Sequence, residues 1–220
     1  MAEWHPAFEE YCETIFELHE DDIRVVQARI AERLQVSRPS VSEMIKRLET
    51  EGHVQVNQHV IKLTPKGMAL AEQVVRRHRL AERFLTDVLG LSWAVAHREA
   101  GKWEHVISDV VEDAMVNVLG DPTTCPHGNP IPGSSYEPAP GTVPLSEVPA
   151  GTDFRVERIP ESLEFEPGVL EFLETHRLLP GARGSVVGAG PDGTMTVAVD
   201  GTSVGVGPFT CDRMLVTATG

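Results

Sequence analysis

Residues 25–67 read VVQARIAERLQVSRPSVSEMIKRLETEGHVQVNQHVIKLTPKG, and this stretch decides the fold. From Val26 to Leu34 the apolar residues recur at helical spacing, with Ile30, Ala31 and Leu34 on one face. The run breaks at Gln35-Val36-Ser37. Ser37 suits the cap of a following helix, with Pro39 in its first turn, where a missing N–H costs nothing. That second helix is predicted over about 38–51, with Val41, Met44, Ile45 and Leu48 inward and Arg38, Ser40, Ser42, Glu43 and Arg47 outward. Gly52 stops it. HVQVNQHVIKL then alternates like two short strands around Asn57-Gln58. Helix, tight turn, helix, hairpin is the order of a winged helix-turn-helix.

Charge distribution supports a nucleic-acid partner for this segment although the whole chain carries −14. Binding DNA requires local positive potential that displaces counterions from phosphate, so the placement of charge matters more than its sum. Residues 24–66 hold Arg24, Arg29, Arg33, Arg38, Lys46, Arg47, Lys62 and Lys66 against Glu32, Glu43, Glu49 and Glu51. The acidic surplus lies in the first 22 residues and the C-terminal third.

On the N-terminal side, AFEEYCETIFELHE (7–20) reads as an amphipathic helix. Phe8, Tyr11, Cys12, Ile15 and Leu18 form one face, and Glu10, Glu13 and Glu17 another. On the C-terminal side, Thr64-Pro65 opens a long helix that Gly90 ends, and a second is predicted from about Trp93 to Leu119. Val74, Leu80, Ala81, Phe84, Leu85 and Val88 on the first, and Val106, Val110, Met115 and Val118 on the second, make apolar faces wide enough to need a partner. Dimerisation through these helices follows as an expectation. Residues 121–142, rich in Pro, Gly and Ser, mark a domain boundary. Beyond them, short alternating runs broken by Gly and Asp-Gly predict a small all-β barrel carrying one helix, GVLEFLETHRLL.

Several classes are disfavoured. There is no apolar run of membrane-spanning length, and the acidic N-terminus lacks the basic start of a signal peptide, so a cytoplasmic protein is expected. Cys12, Cys125 and Cys211 are far apart, which suits neither a disulfide framework nor a CxxC site. No GxSxG, GxxxxGK[ST] or strand-borne GxGxxG occurs, so no enzyme is expected and no small-molecule substrate.

Chemistry-bearing residues concentrate on the two long helices. His78 and Glu82 are one turn apart on the first; His97, Gly101, Glu104 and His105 share a face of the next. Antiparallel packing would bring the two faces together. Imidazole with carboxylate suits divalent first-row metals. The alternative is a set of surface ion pairs, because RRHRLAER also supplies arginines. A metalloenzyme built on the same cluster is a further reading, with no general base outside the ligands to support it.

QARIAERLQVSRPSVSEMIKRLETEG (27–52), RHRLAERFLTDVLGL (77–91), WEHVISD (103–109) and GNPIPG (128–133) occur in an order and spacing that resemble the diphtheria toxin repressor family of metal-dependent repressors. The resemblance is close over about 8–133 and looser over 150–220. It implies a mainly α protein with a small β domain: a winged helix-turn-helix DNA-binding domain (1–68), a helical metal-binding and dimerisation domain (69–133), a linker (134–150) and an SH3-like domain (151–220). It implies a homodimer on double-stranded operator DNA of approximate two-fold symmetry, and two ions per subunit. The ancillary site would use His78, Glu82 and His97, completed by Glu161 and Glu164. The primary site would use Glu10, Glu104, His105 and position 101, with Glu13 able to share the ligand role. The resemblance also implies an anion site at Arg79 and Asn129, with Cys125 where relatives carry a hydroxyl. DNA reading would fall to the second helix through Ser37, Arg38, Pro39, Ser40, Ser42 and Glu43, with Arg29, Arg47, Lys62 and Lys66 on phosphate.

At two places the chain departs from the iron-sensing branch. Glu10 stands where that branch has Met, and Gly101 where it has Cys. Both changes remove soft sulfur and leave oxygen donors, a set that leans to Mn(II), with Fe(II) the alternative.

Overall fold

The computed structural model describes residues 6–219, the side chain of Pro6 excepted. The reading of the extreme N-terminus, Met1–His5, lies outside them. Among the described residues no helix is long and apolar enough to cross a membrane.

The N-terminal unit holds α1 (Pro6–Glu20), α2 (Gln27–Leu34), α3 (Arg38–Thr50) and the hairpin β1 (Val54–Asn57) and β2 (Val60–Leu63). Ser37 caps α3 through its hydroxyl, which accepts from the Ser40 amide at 3.3 Å. The hairpin turns at Gln58-His59, one residue later than expected, and both residues have positive φ (48° and 68°). The alternation of Val54 and Val56 against Ile61 and Leu63 sets that register, and a two-residue turn of this hand matches strand twist. Phe8, Tyr11, Cys12, Ile15 and Leu18 of α1 join Ile30, Val41, Ile45 and Leu48 in one core. The first helix is therefore structurally part of the helix-turn-helix.

α4 (Pro65–Asp87) is capped by Thr64, whose hydroxyl accepts from the Gly67 amide. Gly67 is obligatory there: a Cβ would stand 2.0 Å from the His53 carbonyl oxygen. The single helix expected over 93–119 is instead two, α5 (Trp93–Trp103) and α6 (Asp109–Leu119). Ser108 starts α6, and the break lets Ile107 and Met115 turn into a core with Leu80, Leu85, Ala96 and Ile131. Val106, Val110 and Val118, expected on an apolar face that needs a partner, are 71%, 78% and 65% exposed in the single chain, as are Val88, Leu89 and Val111 in part.

The barrel has strand order β3-β8-β4-β5-β6-β7, built from β3 (Thr142–Pro144), β4 (Asp153–Arg158), β5 (Arg183–Ala189), β6 (Met195–Val199), β7 (Thr202–Val206) and β8 (Leu215–Thr219), all neighbours antiparallel. Three short helices accompany it: α7 (Glu161–Glu164), α8 (Val169–Thr175) and α9 (Pro208–Cys211). The expected linker 134–150 therefore contains barrel structure, because β3 pairs with β8 and Leu145 enters the barrel core. Trp93 and Ala94 of α5 are buried in that core too, so the barrel is packed against the helical unit.

Candidate metal centre

Four elements converge on a cleft of about 570 Å³. α1 contributes Glu10, Glu13 and Glu17; α4 contributes His78; α5 and its C-terminal end contribute His97, Gly101 and Glu104; and the α7 segment contributes Glu164 and Phe165. The i, i+3, i+7 spacing on α1 puts its three carboxylates on one stripe, opposite the apolar stripe that builds the core.

His78 stands at the middle of the centre. Its Nδ1 lies 2.5 Å from Glu104 Oε2, and its Nε2 lies 3.2 Å from Glu82 Oε1. The Glu104 side is one group: Glu13, His78 and Glu104 bring ligand-type atoms within 4.8 Å of one another, all buried. His105 adjoins it, with Nε2 3.2 Å from Glu104 Oε1. The carboxylate that meets His105 Nδ1, at 2.7 Å, is Glu9 and not the expected Glu10. Glu10 is exposed and lines the cleft mouth. The helical turn explains the difference: Glu9 and Glu13, four residues apart, stack on the side toward α5, and Glu10 is rotated outward by one residue.

The Glu82 side is a second group. His97 Nδ1 is 2.9 Å from Glu82 Oε1 and 3.2 Å from Glu164 Oε2. His127 Nδ1 is 2.8 Å from Glu164 Oε2 and 3.5 Å from Glu82 Oε1. His127 and Cys125, which also groups with Glu82, lie in the segment read as a Pro/Gly-rich boundary. That segment is a buried strap. The His127 carbonyl accepts from the Ile159 amide, and Asn129 donates to the Ile159 carbonyl. Gly128 (φ +85°) passes so close to β4 that a Cβ would stand 2.3 Å from the Glu157 carbonyl oxygen. The signal available in the sequence was Cys-Pro-His-Gly itself: a solvated linker has no use for two ligand-type side chains two residues apart.

Glu161 and Glu164 are both buried but serve differently. Glu164 faces the imidazoles. Glu161 accepts from Arg79 Nη2 at 3.1 Å. The expected anion site is not open: Arg79 is fully buried and donates to Glu20, Glu161 and the Pro130 carbonyl. Asn129 donates to Glu164 and accepts from Arg158. Protein carboxylates already occupy the positions an anion would take.

Electrostatics match a site built around cations. Burial and then the charge of Glu104 push the Glu13 carboxyl well up; burial and then Glu161 push Glu17 up to about 8. Burial works against protonating His97, yet hydrogen bonds to Glu164 and Glu82 hold it up at about 10. Glu82, against its burial, is held well down by His127 and His78. Buried His78 Nε2, Glu82 Oε2, His127 Nε2 and Glu161 Oε2 make no hydrogen bond, and neither do His53 Nδ1 and Thr86 Oγ1. Unsatisfied buried polar atoms are costly and rare; most of these are ligand-type atoms of the cluster, where a divalent cation would satisfy them.

The residues expected to face DNA are accessible, with one half-buried. Ser37, Arg38, Pro39, Ser40, Glu43 and Arg47 are exposed, and Ser42 is half-buried. Arg29 pairs with Glu32 at 2.8 Å, and the Arg47 guanidinium lies 5.4 Å from the Phe8 ring centroid. Lys66 donates to the Glu51 carbonyl, and Lys62 is exposed.

A winged helix-turn-helix joined to a buried imidazole–carboxylate cluster and a small barrel defines a metal-dependent transcriptional regulator. The chain belongs to the iron-dependent repressor family. Residues 5–60 match the iron dependent repressor N-terminal DNA binding domain, residues 64–133 the metal binding and dimerisation domain, and residues 143–218 the FeoA domain. It is 42% identical over 213 residues to the iron-dependent repressor IdeR of Mycobacterium tuberculosis, covering 91% of this chain and 92% of that one. It is 52% identical over 126 residues to the diphtheria toxin repressor of Corynebacterium efficiens, covering 57% and 55%. A solved structure described as a manganese-dependent transcriptional repressor in complex with manganese superposes with a TM-score of 0.85 at 31% identity, covering 96% of this chain and 100% of that one. The protein is therefore a metal-dependent transcriptional repressor, not an enzyme.

Proposed function

We propose that this repressor responds to Mn(II), binding two ions per subunit and then holding a two-fold symmetric operator as a homodimer. The observation that carries the metal assignment is the donor set of the cleft: Glu10, Glu13, Glu17, His78, His97, Glu104 and Glu164 line it, and no sulfur does. Hard oxygen donors with imidazole suit Mn(II), whereas thiolate and thioether select softer ions.

The primary ion would be held by Glu13, Glu104 and His105, with Glu9 on His105 and Glu10 and Gly101 lining the cleft. The second would be held by His78, Glu82, His97, His127 and Glu164. A bound divalent cation would add positive charge among the carboxylates of this cleft, beyond that of Arg33, Arg98 and the imidazoles. Glu13 and Glu104 are buried like charges on different elements, and they repel each other when both are ionised. A cation between them would let both stay ionised together. Glu13 belongs to the helix whose other face is the helix-turn-helix core, and Glu104 ends a helix of the dimerisation unit. Drawing them together would orient α3 on the dimer frame, so metal would bind the DNA-competent arrangement more tightly. Exposed Val106, Val110, Val111 and Val118 support that frame as the dimer face.

Fe(II) is the second reading, favoured by the Cys125 thiol beside Glu82 and His127. Titrating operator binding with Mn²⁺ and Fe²⁺ separately, anaerobically and against a chelated control, distinguishes them. Mn²⁺ should act at the lower free concentration; a lower requirement for Fe²⁺ would overturn the assignment.

A further inference from the structure

The barrel touches the helix-turn-helix at a point that the metal centre also touches. Arg33 sits in the last turn of α2, and its side chain is 8% exposed. Its guanidinium lies 4.2 Å from the ring centroid of Phe165, its Nη1 is 3.7 Å from Glu17 Oε2, and it donates to the Glu161 carbonyl at 3.5 Å. The Phe165 ring stands edge-on to His97, with centroids 5.3 Å apart and planes at 88°. Phe165 also follows Glu164 directly in the chain, and Glu164 faces His97 and His127. One aromatic ring thus lies between an imidazole of the centre and a cation of the DNA-binding unit.

Burial does not explain the position of this ring, since Phe165 is 48% exposed. The connection from Arg33 onward is short and defined: Gln35 takes a left-handed conformation (φ 52°) and Ser37 caps α3. A displacement of the α2 end is therefore passed to α3. The barrel is also held by a separate clamp, in which Arg158 pairs with Glu20 and Asp21, and Asp21 accepts from the Ser162 amide. That clamp lets the Phe165–Arg33 contact be removed without undocking the barrel.

We propose that Phe165 and Arg33 form a positioning pair through which occupancy of the His97–Glu164 group sets the orientation of the helix-turn-helix. Fixing His97 and Glu164 on a cation fixes Phe165 between them, and a fixed ring gives Arg33 a single seat. The favourable cation–aromatic contact is then held in one geometry instead of one among several. The inference rests on the metal-responsive reading above.

The test uses the full chain and a duplex selected by the wild type from a randomised pool in Mn²⁺. Mn²⁺ binding is read independently by isothermal titration of the chain without duplex. Phe165→Ala should weaken duplex binding in saturating Mn²⁺ about tenfold, a usual size for coupling between sites, and raise the Mn²⁺ requirement by no more than that factor, as reciprocity demands. Arg33→Gln should do the same, the double variant should be no worse than either single one, and Phe165→Tyr should restore the wild-type response. Weaker Mn²⁺ binding in Phe165→Ala with duplex binding in saturating Mn²⁺ unchanged would make the ring mere packing of the centre and overturn the proposal, as would no change in either. A smaller salt dependence in Arg33→Gln would mark Arg33 as a phosphate contact and also overturn it. A wild type that binds duplex equally in chelator contradicts the metal-responsive reading itself, and this shows before any variant is made.

Discussion

His127 of the strap and Glu164 of the barrel meet with Nδ1 2.8 Å from Oε2, and both side chains are fully shielded from solvent. The pair joins two segments that are 37 residues apart in sequence, and Glu82 and His97 of the helical unit lie against it. His127→Gln should weaken the tighter or the weaker class of Mn²⁺ sites, whichever contains Glu164, by at least about tenfold, as losses of support around a bound metal commonly do. The other class should be unaffected. Isothermal titration of the dimer resolves the two, and an unaltered isotherm would falsify the place given to His127.

Gly101 offers a direct handle on metal preference. A Cβ built there meets nothing within 4 Å, although the residue lines the cleft. Gly101→Ala should stabilise the metal-free chain by about 1 kcal/mol, because glycine is a poor helix former and the site is open. Gly101→Cys should place a thiol on the cleft wall and move the preference from Mn²⁺ toward Zn²⁺ and Co²⁺ by about tenfold or more. Competition titrations against a chromophoric chelator measure this; an unshifted ratio would put position 101 outside the primary site.

Metal-free stability should fall as pH rises. Burial and then the charge of Glu161 push Glu17 up to about 8; burial and then Glu164 push Glu161 up to about 7. His97 is held at about 10 by Glu164 and Glu82 in spite of its burial. All three bind a proton more tightly folded than unfolded. Their stabilisation is complete below the unfolded values, 4.5 for the carboxyls and 6.5 for the imidazole, and is lost as pH rises through the folded ones. The depressed carboxyls of Glu82 and Glu164 act only in acid, below that window. The Tm of the chelated chain should therefore drop by several degrees between pH 6 and pH 9, while the increment from saturating Mn²⁺ grows, since the ion displaces these protons. A chelated Tm that is flat or rises across that range contradicts the electrostatic account.

On the DNA side, Arg47 and Arg38 should separate. Arg47→Ala, at a proposed phosphate contact, should weaken binding similarly on all sequences and lower the salt slope by about 1. Arg38→Ala, at a proposed base contact, should cost about 1–3 kcal/mol and relax preference at one base pair. Equal salt slopes for both variants and the wild type would remove Arg47 from the phosphate set.

The amino-acid order by itself determined the local architecture. Periodicity, the Ser37 and Thr64 caps, Pro39, Gly52 and the alternation through Val54–Leu63 are short-range properties, and the winged helix-turn-helix, the first helix and the long α4 follow from them. The acidic stripe Glu10, Glu13 and Glu17 and the His78–Glu82 spacing were legible for the same reason: a helix converts sequence spacing into a face. The tertiary structure alone decided which carboxylate meets which imidazole. Glu9 rather than Glu10 reaches His105 because the rotation of α1 is set by packing its apolar face into the core it shares with α2, α3 and α4. His127 enters the centre because Gly128 lets the strap lie against β4, and Arg79 is closed to anions because Glu20 and Glu161 reach it from remote segments. The break at Ser108 likewise answers to the core around Ile107 and Met115. Contacts between segments far apart in sequence depend on how whole elements pack, and no local pattern encodes that packing.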